Sequence, residues 1–329
     1  MTRSDAASSR LDPPPASTRS RHDLAVVVPY RLDLTVSVLR RLATNVVDVL
    51  TPNGRYVRAL SGAHGIVIVS AAQPDPGRLT ISIVGDPEDH AAALVLARCM
   101  LAVDRDLTPF DQAAASLPWL RPLAVRMHGV KPPRYGSLWE SFVNVVAFQQ
   151  LSLQAASTIV RRLIVSSGPA IECDGVALRA FPQPGVFLAT ADRNLRDVGL
   201  SANKIATLRR AGEALVSGQL NLASLEHSPS PEAAALLQKI KGIGPWTASV
   251  ILLRGLGRLD VFPMNDTSVA QNLALVAGST PVDIDRVVDT LRPQQGLLYY
   301  HLLLARLEAR AALPSDSLGI QRRLSGAGG

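Results

Sequence analysis

Between Leu237 and Leu253 the chain reads LQKIKGIGPWTASVILL, and this stretch constrains the fold more than any other. Leu236, Leu237 and Ile240 are apolar at helical spacing before the glycines, and Ala248, Val250, Ile251 and Leu252 continue an apolar helix after them. Two glycines inside such a pattern cost helix stability, so the chain turns sharply there or something approaches its backbone closely. Two readings stay open. Gly242 and Gly244 end one helix and Pro245 starts the next, as in an ordinary αα-corner. Alternatively the Gly242-Ile243-Gly244 turn bares backbone N–H groups at a positive helix end and forms a nest for phosphate, with Lys239 and Lys241 adding charge.

The rest of the chain divides by its periodicity. Residues 1–22 are rich in Ser, Pro and Arg and read as a disordered tail, as do residues 314–329. Residues 33–42 have a helical pattern, with Asp33 as a candidate N-cap. Four short β-branched runs follow, at 45–50, 54–60, 65–70 and 79–84, separated by Pro-Asn-Gly at 52–54 and Pro-Asp-Pro-Gly at 74–77. These turns predict antiparallel hairpins, and a helix over 87–103 completes a small α+β unit spanning 23–105. Beyond it, helical patterns cover 110–127, 137–150, 152–166, 201–216, 230–240, 245–256, 266–277, 282–291 and 295–312, with a short extended stretch near 170–183. The larger unit, 106–313, is therefore expected to be all-helical and the fold class mainly α.

Composition excludes several functions. No run approaches the about 18 apolar residues of a membrane span, and no N-terminal apolar segment reads as a signal, so no membrane partner and a cytoplasmic location are expected. Cys99 and Cys173 stand in unrelated contexts, which leaves no disulfide framework, zinc ribbon or iron–sulfur cluster. The net charge of +7 suggests a polyanionic partner, but the tails hold +3 of it, so the body is only mildly basic.

A second stretch, LDVFPMNDTSVAQNLALV at 259–276, places Asp266 at the entry of a helix behind a proline loop. A carboxylate at the mouth of a cleft can stabilise positive charge developing on a sugar. Asp is also a favoured N-cap, and Asp266-Thr267-Ser268 would cap the helix with no chemistry at all.

Together, LQKIKGIGPWTAS and the later VFPMND resemble the helix-hairpin-helix, Gly/Pro-loop, Asp superfamily of DNA glycosylases, in particular its bacterial 3-methyladenine DNA glycosylase II branch. Residues 106–153, VGLSANKIATLRRAGEAL (198–215), GLLYYHLLLARL (296–307) and the N-terminal sheet unit extend the resemblance over roughly residues 29–310. It implies a helix-hairpin-helix glycosylase fold preceded by a small antiparallel α+β domain. The implied activity is that of a monomeric enzyme that flips alkylated purines out of duplex DNA and hydrolyses their N-glycosidic bond. Asp266 matches the catalytic aspartate and Trp246 an aromatic wall of the base pocket. In related glycosylase/lyases the position of Trp246 is a Schiff-base lysine, so a monofunctional enzyme is expected. A lyase using Lys239 or Lys241, or a non-catalytic DNA-binding module, are the alternatives.

Tyr299, Tyr300, Trp139 and Phe148 are further candidate pocket walls, or core aromatics at helical spacing. Gly242, Ile243, Gly244, Lys239, Lys241 and Thr247 are assigned to DNA binding. Gln149, Gln150 and Leu151 match the loop that fills the space left by a flipped nucleotide; Gln150 and Leu151 both remain candidates for the wedge, and Gln149 and Gln150 could instead cap a helix junction. No cofactor is required. The resemblance further implies a monovalent cation, which would be held by the backbone carbonyls of Gln238, Ile240 and Ile243.

Overall fold

The computed structural model describes residues 18–314. The first part runs β1 (Thr18–Ala25), α1 (Leu32–Arg40), β2 (Val49–Leu50), β3 (Tyr56–Ser61), β4 (Ile66–Asp75), β5 (Arg78–Gly85) and α2 (His90–Leu101). Then follow α3 (Thr108–Ala115), α4 (Arg121–Arg126), α5 (Leu138–Phe148), α6 (Leu153–Ser167), β6 (Ala170–Cys173), β7 (Val176–Arg179), α7 (Pro184–Ala189), α8 (Asp192–Asp197), α9 (Ala202–Val216) and α10 (Leu222–His227). The chain continues through α11 (Ser230–Gln238), α12 (Pro245–Leu256), α13 (Thr267–Ala277), α14 (Ile284–Thr290) and α15 (Gly296–Ala309). No helix among the described residues is long and apolar enough to cross a membrane.

Strand order in the five-stranded sheet is β1-β5-β4-β3-β2, antiparallel throughout. Period-two alternation sends Leu79, Ile81 and Ile83 of β5 to one face, where they pack with Ala93, Ala97 and Met100 of α2 and Leu32, Val36 and Leu39 of α1. On the opposite face Val57, Ala59 and Ile68 meet Ile171 and Leu178 of the β6–β7 hairpin. That hairpin turns at Asp174 (φ 50°) and Gly175 (φ 73°), the positive-φ pair that matches strand twist.

The sheet is bolted to the helices by a buried ion triad. Arg58 of β3 donates to Asp48 at 2.6 Å and also pairs with Glu140 of α5. Burial without Arg58 would leave two like charges facing each other, so the triad fixes where α5 sits against the sheet.

The helices form two apolar clusters. One gathers α5, α6, α9, α11 and α12. The other gathers α15 with α3, α4, α13 and α14, and takes Leu34 and Val38 from α1. α12 joins both, with Val250, Ile251 and Leu252 in the first and Leu253 in the second. A cleft opens between them.

Several local expectations are corrected. Residues 18–22, expected to belong to the N-terminal tail, are part of edge strand β1, whose ladder to β5 needs backbone rather than apolar side chains. The remaining tail residues, apart from Pro314, lie outside those described. Only Val49–Leu50 of the expected strand 45–50 pairs, because the Asn45 carboxamide oxygen accepts the N–H groups of Val47 and Asp48 and turns the chain. The helix expected over 110–127 is split into α3 and α4 around Pro118. The short helices α7, α8 and α10 have too few turns to show a periodicity.

Candidate active site

α11 and α12 are joined by the turn Lys239–Gly244. Gly242 stands at φ 102°, and a Cβ there would lie 2.0 Å from Thr207 Oγ1 of α9, so only glycine fits. Gly244 is different. It has φ −87°, nothing within 4 Å of a Cβ position, and supplies α12 with an N-cap that has no side chain. Gly244 and Pro245 are exposed, so the start of α12 faces solvent without a side-chain cap, the arrangement that suits an anion. Lys239 and Lys241 flank it, both exposed. Ile243 is buried in the first helical cluster and contributes backbone alone. The Arg210 guanidinium donates to Lys241 O at 3.2 Å and steadies the turn from α9.

Asp266 is the N-cap of α13. Its Oδ1 accepts the N–H groups of Ser268 at 2.7 Å and Val269 at 3.2 Å. Its Oδ2 accepts Trp246 Nε1–H at 2.8 Å. The carboxylate is thus a cap and a cleft group at once: one oxygen serves the helix, while the other is aimed by the first turn of α12. Only 8% of the residue is exposed, and it lines a cleft of about 990 Å³ together with Trp246, Tyr299 and Phe148.

The other two candidate walls are not there. Tyr300 is fully buried and donates its hydroxyl to Leu253 O at 3.1 Å. Adjacent positions on a helix point about 100° apart, so Tyr299 and Tyr300 of α15 cannot both face the cleft. Trp139 donates its indole N–H to Pro182 O at 3.0 Å and packs edge-on to Phe187, inside the first cluster. Both are core residues.

The loop between α5 and α6 forms the cleft's rim. Gln149 donates its amide to Thr247 Oγ1 at 2.9 Å and Gly242 O at 3.3 Å, so Gln149 and the buried Thr247 tie this loop to the hairpin along the wall of the cleft. Lys204 of α9 donates to Ala147 O and Gln149 O, each at 2.9 Å, and burial lowers the pKa of its amine. Past these anchors Gln150, at φ 57°, and Leu151, 39% exposed, point outward together.

Gln238, Ile240 and Ile243 all lie at the α11–α12 turn, where Ile240 O also accepts Ile243 N–H at 3.0 Å. Backbone oxygens are the donor type that suits a hard cation.

The sequence match falls on this arrangement. The family model described as HhH-GPD superfamily base excision DNA repair protein matches residues 143–289, from α5 through the hairpin and Asp266 to α14. Over these residues the chain belongs to that superfamily. It is 28% identical to the DNA-3-methyladenine glycosylase of Bacillus subtilis over 53% of this chain and 57% of the relative. With the DNA-3-methyladenine glycosylase 2 of Escherichia coli it shares 25% identity over 83% of this chain and 93% of that one. The chain spans about half the length of the first curated relatives it matches. Among solved structures, the 3-methyladenine DNA glycosylase from Archaeoglobus fulgidus superposes with a TM-score of 0.72 at 22% identity, covering 87% of this chain and 98% of that one, which extends the fold likeness to the sheet unit.

Three residues of this site were given no role by the sequence. Thr207 and Lys204 come from α9, inside the resembling stretch 198–215 but outside the hairpin and the Asp266 loop, and Arg41 comes from the end of α1 to line the same cleft. Only the packing of α1 and α9 against α5 and α12 brings them in.

Proposed function

We propose that the chain is a monofunctional DNA glycosylase that removes alkylated purines from duplex DNA, acting as a monomer in the cytoplasm on the nucleoid. The observation that carries the reading is the Trp246–Asp266 pair at the back of a cleft whose rim is the hairpin on one side and the Gln150-Leu151 loop on the other. The uncovered N-terminus of α12, with Lys239 and Lys241, would hold the phosphate backbone without reading sequence. Gln150 and Leu151 would fill the space of the flipped nucleotide.

In the reaction, the C1′–N bond breaks and its electron pair leaves with the base, while water adds to C1′ and gives up a proton. An alkylated purine already carries positive charge, so it departs without a strong general acid. Asp266 would stabilise the oxocarbenium-like sugar, an electrostatic effect worth about 3–4 kcal/mol in comparable sites. Trp246, Phe148 and Tyr299 would offer π faces to the base. Lyase chemistry finds little support: Lys204 is the one lysine lining the cleft among the described residues, and its amine is held by two carbonyls. The carbonyls of Gln238, Ile240 and Ile243 would hold a monovalent cation that stiffens the turn and adds positive charge beside the phosphate. Single-turnover release of base from duplexes bearing 3-methyladenine, 7-methylguanine, hypoxanthine or ethenoadenine tests the proposal. Release with an intact abasic strand as product supports it; no release of any of them, or strand scission, sinks it.

A further inference from the structure

The end of α5 has four carbonyls in a row to satisfy where the chain leaves the helix. Val146 O accepts the N–H of Gln149 and Phe148 O that of Leu151, at 3.3 Å each. The two between and beyond them, Ala147 O and Gln149 O, are taken by the Lys204 amine of α9, at 2.9 Å each. A cation there also offsets the negative end of the α5 dipole, which stands at the rim of the cleft. No carboxylate pairs with Lys204 among the described residues, so its charge is given to backbone oxygens. The turn that follows is a demanding one. Gln150 takes φ 57°, a value that residues with a side chain seldom adopt, and Leu151 is 39% exposed beside it. Ser152 is committed to capping α6, so the tip is held from its base, by Lys204 on one side and by the Gln149 amide on the other.

The same helix seats the opposite rim. Thr207 packs against Gly242, and the Arg210 guanidinium donates to Lys241 O at 3.2 Å. Lys204, Thr207 and Arg210 follow one another at three-residue steps, about 4.5 Å of helix each, so one rigid element sets the spacing between the Gln150-Leu151 tip and the hairpin. We infer that Lys204 is a positioning residue for insertion: its grip on the end of α5 presets Gln150 and Leu151 for a gap in a base stack, and so favours duplex with an unstacked or missing base over intact duplex. This rests on the glycosylase reading. Lys204 touches no reacting atom and acts through the loop. A tip that is already ordered spends no binding energy on its own ordering, which leaves that energy for opening the stack. The hairpin's hold on phosphate is separate, because an intact duplex offers the same backbone.

The test measures affinity of the full chain for a duplex carrying a tetrahydrofuran abasic analogue and for the same duplex intact, with 2-aminopurine beside the analogue to report unstacking by its fluorescence. Wild type is expected to prefer the abasic duplex by about tenfold or more and to brighten the 2-aminopurine on binding. Lys204→Met should lose about tenfold of preference and most of the fluorescence rise, while affinity for intact duplex stays within about two-fold. With the tip removed by Gln150→Ala and Leu151→Ala, adding Lys204→Met should change the preference no further, since the two act as one unit. Absence of a preference in wild type, a preference that persists in folded Lys204→Met, an equal loss on both duplexes, or a further loss in the tip-truncated background each overturns the inference. Lys204→Gln, uncharged but still able to donate, is measured beside it and should behave as Lys204→Met does; if neither variant folds, Lys204 serves the fold and the inference falls with them. Release of methylated purine by wild type is followed on the same preparation: release with no Lys204-dependent preference rejects the inference alone, and a Lys204-dependent preference with no release on any lesion rejects the glycosylase reading alone.

Discussion

Trp246 Nε1 donates to Asp266 Oδ2 at 2.8 Å, joining two residues that stand 20 positions apart on different helices. The contact locks the carboxylate rotamer from the cleft side while Ser268 and Val269 lock it from the helix side, so no rearrangement is needed as positive charge develops on a sugar.

Asp266→Asn separates capping from charge. The Asn oxygen can keep the bonds to Ser268 and Val269, but its NH2 then meets the Trp246 N–H donor to donor. A loss of about 1 kcal/mol of stability is expected. Single-turnover release of methylated purine should fall about 100-fold to 1000-fold. Affinity for an abasic-analogue duplex should stay within a few-fold of wild type. Full activity in a stable Asn variant would leave Asp266 as a helix cap and nothing more.

Trp246→Phe keeps an aromatic face and removes the donor. Base release should drop about tenfold on cationic and neutral lesions alike, the scale of one lost charge-assisted hydrogen bond. Trp246→Ala should add a further loss confined to cationic bases. Rates measured on 7-methylguanine and hypoxanthine decide it: a Phe variant as fast as wild type would mean the indole N–H does not position the carboxylate.

The two hairpin glycines should behave differently. Gly242→Ala drives a methyl into Thr207 Oγ1 at a positive φ and should cost about 1–3 kcal/mol of stability. A Cβ at Gly244 meets nothing within 4 Å and the position faces solvent, so Gly244→Val should fold normally, yet weaken binding to damaged and undamaged duplex because a phosphate can no longer approach the backbone. Lys239→Gln with Lys241→Gln should flatten the salt dependence of that binding. Thermal melts and salt titrations of affinity check each; unaltered affinity of Gly244→Val would remove the phosphate from this turn.

His301 predicts a pH dependence. It is buried beside Phe110, donates Nδ1–H to Leu297 O at 2.9 Å, and burial pushes its pKa down to about 4. Its folded pKa lies below the unfolded value near 6.5, so the unfolded state binds the extra proton between these limits. The stability that follows is fully present above about pH 6.5 and is lost as pH falls toward 4, by up to about 3 kcal/mol. His301→Gln should flatten the fall of the thermal midpoint over that window; an unchanged slope would place the acid sensitivity elsewhere.

Local order was legible wherever one segment settles its own conformation. The hairpin turns at 52–54 and 74–77, the helix pattern of 245–256, and the cap at Asp266 depend on neighbours a few residues away, and the same local chemistry marked Gly242, Gly244 and Trp246. The edge strand Thr18–Ala25 was not legible, because its stability comes from a ladder to residues 78–85 and not from its own side chains.

What the sequence by itself determined is therefore a set of elements and two motifs with the right chemical types. Which aromatics face a base, and which groups stand around it, was decided by packing. A one-residue step on α15 separates Tyr299 in the cleft from Tyr300 in the core, and Trp139 is taken inward by Pro182 and Phe187. Arg41, Lys204 and Thr207 reach the site from outside the hairpin and the Asp266 loop, because the ends of α1 and α9 are brought against α5 and α12 by contacts whose energy is spread over two whole apolar clusters. Burial of that kind is non-directional, so no short run of residues encodes it, and only the assembled chain sets the Arg41 guanidinium over the Phe148 ring in the cleft that Asp266 also lines.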